Sequence, residues 1–442
     1  MMINNTFYKA TAAIESNTVA NRGILDIGGW LAPNVLMANN KDERKERLNK
    51  HGGYFLLAVL SPFVFMPLAN RSSLKLLGVT KNLFGKESHI IQLSKKKLAN
   101  NAGEMVKGIE ELGKKGIENL FGKKIKIEKE FKAILNRFPD KEELRKKLIA
   151  AQKFQFMADF IPLGFIAGSI PWMTNDITKK QTGRSGFTAE FEMADKQYTE
   201  KMAEKHEKTK HKKMLAACAI TLGNTLLIPT IVAKSLTTKT PGSFASVIKR
   251  NAHLFDYTKG IFVSLLPYFL IDVFADIPHW ILASRDKHEM KDTSVRFGVA
   301  LSIFFGGDYL LNNVVGRGLD RWRGTKLMND DNFKNAGFFK KFLMPVNKFD
   351  KIKELEKVPE NILKRTQKYA VGMYWGNMLA IMLALGFGTP YVLNKILKAN
   401  IKNDMNNDKN DSHTTKALKN FKTFIEQNDI NSSNLLIKFK CT

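Results

Sequence analysis

The sequence predicts an all-α fold: a polytopic membrane helix bundle with about six membrane helices, several of them kinked at proline, joined by amphipathic and long extramembrane helices. Three observations predict it. Apolar residues gather into windows of about twenty, the length that crosses a hydrocarbon core. Lysine-rich connections separate those windows, so a mean hydropathy of −0.23 hides a strongly blocked chain. The windows also lack the two-residue alternation of barrel strands.

Residues 1–50 form an N-terminal region. Its stretch "GILDIGGWLAPNVLMANN", Gly23 to Asn40, is short, carries Asp26 and reads as a re-entrant or interfacial segment. Residues 51–70 are the first membrane segment, with Pro62 and Pro67 inside it. Residues 71–153 are a basic, amphipathic helical region. Its apolar residues recur at helical spacing: Val106, Ile109 and Leu112, later Ile127, Phe131, Ile134, Leu135 and Phe138. This pattern fits helices lying on an anionic leaflet, or a helical hairpin with one solvated face. Pro139 breaks it, and Asp140 with Glu143 makes a capping box that restarts a helix.

The main bundle is expected over 154–394. Tyr369 to Asn394 and Met214 to Ala233 carry no charge at all. Phe154–Thr178, Gly260–Ser284 and Phe297–Gly316 hold acids. Thr188 to Ile228 has no proline, so one long helix should project beyond the bilayer. His206 and His211 on it are five apart, the wrong spacing for one face, and are expected to be solvated. Residues 395–442 are expected to be a polar, largely disordered tail, because "NNDKNDSHTT" has too few apolar residues to bury.

A net charge of +28 and a pI near 9.8 point to anionic partners. The lysines are spread over connections without interleaved aromatics, which excludes a nucleic-acid surface and leaves the lipid bilayer, with anionic lipid, as the expected partner. Cys218 and Cys441 build neither a disulfide framework nor a zinc site. The N-terminus lacks the apolar core of a secretory signal, so the expected location is a bacterial cytoplasmic membrane. No Walker loop, H-E-x-x-H, G-x-S-x-G or Rossmann fingerprint is present, so no cofactor and no enzyme class is expected from motifs.

The candidate site is a set of polar residues inside the apolar windows: Asp159, Asn224, Tyr268, Asp272, Asp276, His279, Asp308 and Asn377. Most follow one local pattern, a small residue and then Asp or Asn, as in "ADFI", "GNTL", "ADIP", "GDYL" and "GNML". Proline often follows, at Pro67, Pro171, Pro229, Pro278 and Pro390, and four of these, all but Pro229, fall at similar spacing that hints at an internal duplication. On an α-helix Tyr268, Asp272, Asp276 and His279 share an arc of roughly 80°. Each buried Asp costs about 2.5 to 3.5 kcal/mol on the insertion scale, so this helix should face protein or trapped water.

Three functions compete. A polar cavity could handle protons or cations. The same Asn and Asp could instead tie helices together in a scaffold, helped by the small-residue surface of Gly164 and Gly168. "DVFAD", Asp272 to Asp276, also resembles one acidic motif of the membrane prenyltransferases, which implies magnesium held against a lipid pyrophosphate. Those enzymes need a second acidic motif, and "TNDITKK" at Asn175 and Asp176 lacks its further aspartates.

Overall fold

A computed structural model of the chain describes residues 5–16, 18–57, 93–118, 124–255, 257–258, 262–263, 269–270, 272–303, 308–328, 346–349, 352, 355 and 358–427. Among these residues the protein is all-helical apart from two antiparallel ladders, Ile117–Glu118 with Lys124–Ile125 and Tyr257–Thr258 with Phe262–Val263.

Two described helices are long and apolar enough to cross a membrane, Lys196–Thr237 and the stretch Glu360–Asn407. The expected six are therefore met only in part. Two of the other windows are divided. Phe154–Thr178 is split among the helix Lys141–Ile161, a π-turn at Pro162–Ala167 and the helix Gly168–Thr182. The described part of Gly260–Ser284 includes a π-turn, Asp272–Asp276, and the short helix Ile277–Leu282. Residues 58–70 and 304–307 of the remaining two windows lie outside the described residues.

Prolines accompany the helix divisions, although Pro229 sits inside the unbroken helix Lys196–Thr237. Four π-turns occur among the described residues, at Asp26–Leu31, Pro162–Ala167, Asp272–Asp276 and Ala384–Gly388. Each is followed by a proline: Pro33, Pro171, Pro278 and Pro390. Proline cannot donate to the carbonyl four residues earlier. Those carbonyls belong to Gly29, Ala167, Phe274 and Gly386, and every one lies inside the preceding π-turn. The wider turn re-registers the backbone where a donor is missing. At Phe274 the freed oxygen accepts from Asn224 Nδ2 at 3.2 Å.

The scaffold is a long antiparallel pairing. Lys141–Thr182 climbs along Lys196–Thr237, from Arg145 beside the Leu236 carbonyl, through Gly164 against Thr221, to Lys179 facing Glu207 at 3.3 Å. The segment 272–284 runs parallel to the first arm, with Ala275 near Gly164, His279 near Gly168 and Asn175 donating to the Ala283 carbonyl at 2.8 Å. The approach is close because the glycines permit it. A Cβ on Gly164 would sit 2.2 Å from Thr221 Cγ2, and one on Gly168 2.8 Å from two His279 ring carbons. A second close crossing joins the π-turns at 26–31 and 384–388, where a Cβ on Gly386 would lie 2.5 Å from Pro33 Cγ.

At the Leu236 end, Lys95–Asn100, Ala102–Lys115 and Glu128–Arg137 fold into a helical subdomain. Met105, Ile109, Phe131 and Ile134 pack with Leu148, Val232 and Leu236 in one core. The amphipathic faces of these helices are thus consumed by packing. Among the described residues this cover comes from protein, as in the hairpin alternative. The tail also departs from expectation. The helix Thr389–Gln427 continues through the polar stretch, anchored by buried Leu393, Leu397 and Ile401. Extending a helix whose first turns are packed avoids the nucleation penalty of an isolated one.

Gly164→Ala should destabilise the detergent-solubilised protein by about 1–3 kcal/mol through overpacking. Adding Thr221→Ser, which removes the clashing methyl, should recover much of it. Thermal unfolding of the two single variants and the double variant measures the coupling.

Candidate functional site

The structure places the sequence-predicted polar residues in several environments. Asp276 is fully buried and accepts from Trp280 Nε1 at 3.0 Å. His279 is buried, and its Nδ1 accepts from Trp172 Nε1 at 3.3 Å. Asp272 is half-buried at the start of the π-turn. Asn224 binds the Phe274 carbonyl, and Asn377 is half-buried in Glu360–Leu383. Asp159 and Asp308 sit in helices whose side chains at those positions lie outside the described set, as does all of Tyr268. The described members do not line one common cavity. Asp276 and His279 stand in the packed crossing of 162–172 with 272–284.

The cavity that the described residues form lies beside that crossing. It encloses about 50 Å³, room for a few waters. Trp280 links the two, holding Asp276 with its indole N–H and lining the cavity with its ring. Trp30, His51 and Phe297 complete an aromatic wall. His51 stacks on Trp280 with centroids 5.7 Å apart and accepts from Trp30 Nε1 at 3.0 Å. Phe297 packs on both indoles.

The opposite wall is ionic. Arg285, 3% exposed, reaches Glu46 Oε1 at 2.7 Å and Glu289 Oε2 at 2.8 Å. Lys50 bridges the same two acids at 2.5 and 2.9 Å. Arg47 pairs with Glu43, and Arg296 with Asp292 at 2.6 Å. Both guanidiniums also converge on the Asn34 side-chain oxygen, at 3.3 and 2.8 Å. The four acids and four bases neutralise one another. Burial works to raise the Glu289 carboxyl, but Arg285 and Lys50 outweigh it and hold it well below the usual range. Glu46 is likewise lowered, against burial, by Arg285 and Lys50. Burial and the neighbouring Arg296 lower Arg47.

Two hairpins of the same layout build this cavity. In each, a π-turn and a proline lead to a polar turn, and an Asn or Asp caps the returning helix. Asn40 accepts from the Glu43 N–H and Asp286 from the Glu289 N–H, both at 2.8 Å. Eleven residues past each cap stand His51 and Phe297, and each packs on both Trp30 and Trp280. The pair at Gly168–Thr182 and Lys196–Thr237 repeats the layout, with Asp195 as cap and His206 stacked on Trp172 at 6.0 Å. His206 was expected in solvent and is 3% exposed. Burial, then Lys213, pushes its pKa down to about 4, because the histidine sits beneath the Trp172 ring rather than on a free face.

Next to the ionic wall lies Glu190, in the short 3₁₀ turn Thr188–Glu190. It is 0% exposed, and neither carboxyl oxygen has a partner among the described residues. Burial, followed by Asp286 and Glu289, pushes its pKa up to about 9. Asp286 is raised to about 6 by burial and Glu289.

Sequence reasoning missed the ionic wall. Its signal was present as i,i+4 pairs, Glu43 with Arg47, Glu46 with Lys50, Arg285 with Glu289 and Asp292 with Arg296. On a lone helix such pairs read as a solvated face. No group of three or more His, Cys, Asp or Glu side chains among the described residues is arranged to hold a metal ion, so the magnesium reading of "DVFAD" gains no ligand set. Comparison with protein-family models, with curated proteins and with solved structures finds no match.

Arg285→Gln should lower stability by about 3–5 kcal/mol, because it leaves the buried Glu46 and Glu289 with Lys50 as their one shared cation. Removing one acid with it, by adding Glu46→Gln, leaves a neutral Lys50–Glu289 pair and should recover part of that loss. Chemical unfolding, comparing the single and double variants, gives the sign.

Proposed function

We propose that this chain is a multi-pass membrane protein whose polar interior passes protons or small cations. One observation supports the reading above others: polarity is turned inside out. Leu215 is 72% exposed, and Leu222, Leu226 and Leu227 on the same helix are more than half exposed. Leu379, Leu383, Tyr391 and Val392 of the second long helix are exposed as well. Only 28% and 33% of the two apolar windows is buried, whereas the core helix of a soluble protein is mostly covered. Meanwhile Asp276 and seven members of the eight-charge network are buried, with Asp292 half-buried. Acyl chains are the solvent that favours this arrangement. Exposed Phe154, Ile161, Met173, Phe274 and Val314 extend the apolar surface to helices other than the two long ones, in favour of more than two crossings.

The transport reading draws on the two like hairpins. Sites in many transporters lie where repeats meet, near interrupted helices whose backbone carbonyls are freed. Here the cavity sits where the 26–57 and 272–302 hairpins meet, flanked by π-turns. Ion-paired Glu46, Lys50 and Glu289 line it.

A scaffold is the second reading, favoured by the internal neutrality of the ionic wall and the small volume of the cavity. In liposomes loaded with a pH-sensitive dye, a potassium diffusion potential should drive proton uptake through the parent protein. Asp276→Asn should cut that uptake at least about tenfold, since an amide carries no proton. Parent uptake equal to that of empty liposomes, or uptake unchanged by Asp276→Asn, leaves the scaffold.

A further inference from the structure

Glu190 falls in the Thr188–Ile228 stretch expected as one helix, but that helix begins at Lys196 and Glu190 stands in the buried turn ahead of it. A fully buried carboxyl with no hydrogen-bond partner is costly in either protonation state, and far more so as an anion. The charged groups acting on it come from three neighbouring elements. Asp286 and Glu289, at the start of Lys287–Ser302, oppose its ionisation, and so does Asp404 on the C-terminal helix. Arg285, at the same turn, favours it, and Arg184 feels its field in turn. Arg285 is already committed, holding Glu46 and Glu289 together across the cavity.

Glu190 is also joined mechanically to the cavity. Its N–H donates to the Phe187 carbonyl at 3.0 Å. Phe187 and Thr188 line the cavity, and the Arg285 guanidinium lies 5.8 Å over the Phe187 ring. Asn40 Nδ2 donates to the Thr188 carbonyl at 2.6 Å, fastening this turn to the cap of the 41–57 helix. A shift of Glu190 therefore reaches both walls.

We propose that Glu190 is a proton-binding site that controls the ion pairs bordering the cavity. As the neutral acid it leaves Arg285 to Glu46 and Glu289. On releasing its proton to water, the carboxylate competes for the same guanidinium and loosens its hold across the cavity. Only an O–H bond is broken, and the negative charge left behind is met by a cation already present. The inference rests on the transport reading for its purpose, but its test does not involve transport.

The linkage has a definite sign. The folded-state pKa of about 9 exceeds the ordinary 4.5, so stability from the neutral acid is complete below 4.5 and is lost as pH rises toward 9. Hydrogen–deuterium exchange on the full chain in lipid nanodiscs, corrected for intrinsic base catalysis, reads the opening of residues 41–50 and 284–290. In the parent, opening should rise about tenfold per pH unit through the titration. Glu190→Gln, which copies the neutral acid, should keep both segments at the low-pH level throughout. Glu190→Asp should retain the rise with a displaced midpoint. A parent with no rise between about pH 7 and pH 10 overturns the proposal, as does a Glu190→Gln variant that opens like the parent, or a Glu190→Asp variant with an unmoved midpoint. A clear exchange switch without proton uptake would instead defeat the transport reading and leave the proton site standing.

Discussion

Arg285 between Glu46 and Glu289 is the constraint on which the rest of the structure depends. A buried guanidinium is tolerable only when acids surround it, and here they come from elements far apart in sequence. That single requirement docks the 41–57 helix against the turn at 284–286. It brings Lys50 to Glu289, and with them His51 to Trp280 and Arg296 to Asn34. The cavity is the space left between the two hairpins once these pairs are made.

Interrupted helices are the second organising device. Each proline withdraws one donor, and each preceding π-turn accommodates the carbonyl left behind. Because the turns carry glycine or alanine, the chains cross closely there: Gly164 on Thr221, Gly168 on His279, Gly386 on Pro33. The same few residues break the helix, free an oxygen and permit the contact. Small residues thus do in this bundle what interhelical hydrogen bonds alone, typically about 1 kcal/mol each, do weakly.

The two ends of the long helix Lys196–Thr237 have different characters. At Leu236 it meets an apolar core of basic helices, whose lysines other than the buried Lys95 face outward while Met105, Ile109 and Phe131 are sealed. At its start it meets buried polarity: His206 under Trp172, Glu190, and His288 paired with Asp404. Between them its leucines are exposed.

The amino-acid order by itself determined that the chain is helical, where its apolar windows begin and end, and that the prolines near 171, 278 and 390 would interrupt them. Those are local properties, set by side-chain chemistry within a few residues. It also showed that Asp276 must turn inward, since an acid in an apolar run has no other favourable direction, and Asp276 is fully buried. It could not show which charges meet. Glu43, Glu46, Glu289 and Asp292 each have a base one helical turn away, and that spacing is the same for a wet surface pair as for a buried one. Only the tertiary structure decided, by laying two hairpins face to face and excluding water from the space between them. The burial of Glu190 was illegible for the same reason: its neighbours are Asn40, the turn at Asp286 and the helix carrying Asp404, none of them near it in sequence. The basic helices at 95–137 and His206 teach the converse. Amphipathic spacing says that one face wants cover, but whether protein or lipid supplies it depends on which partner the fold brings first.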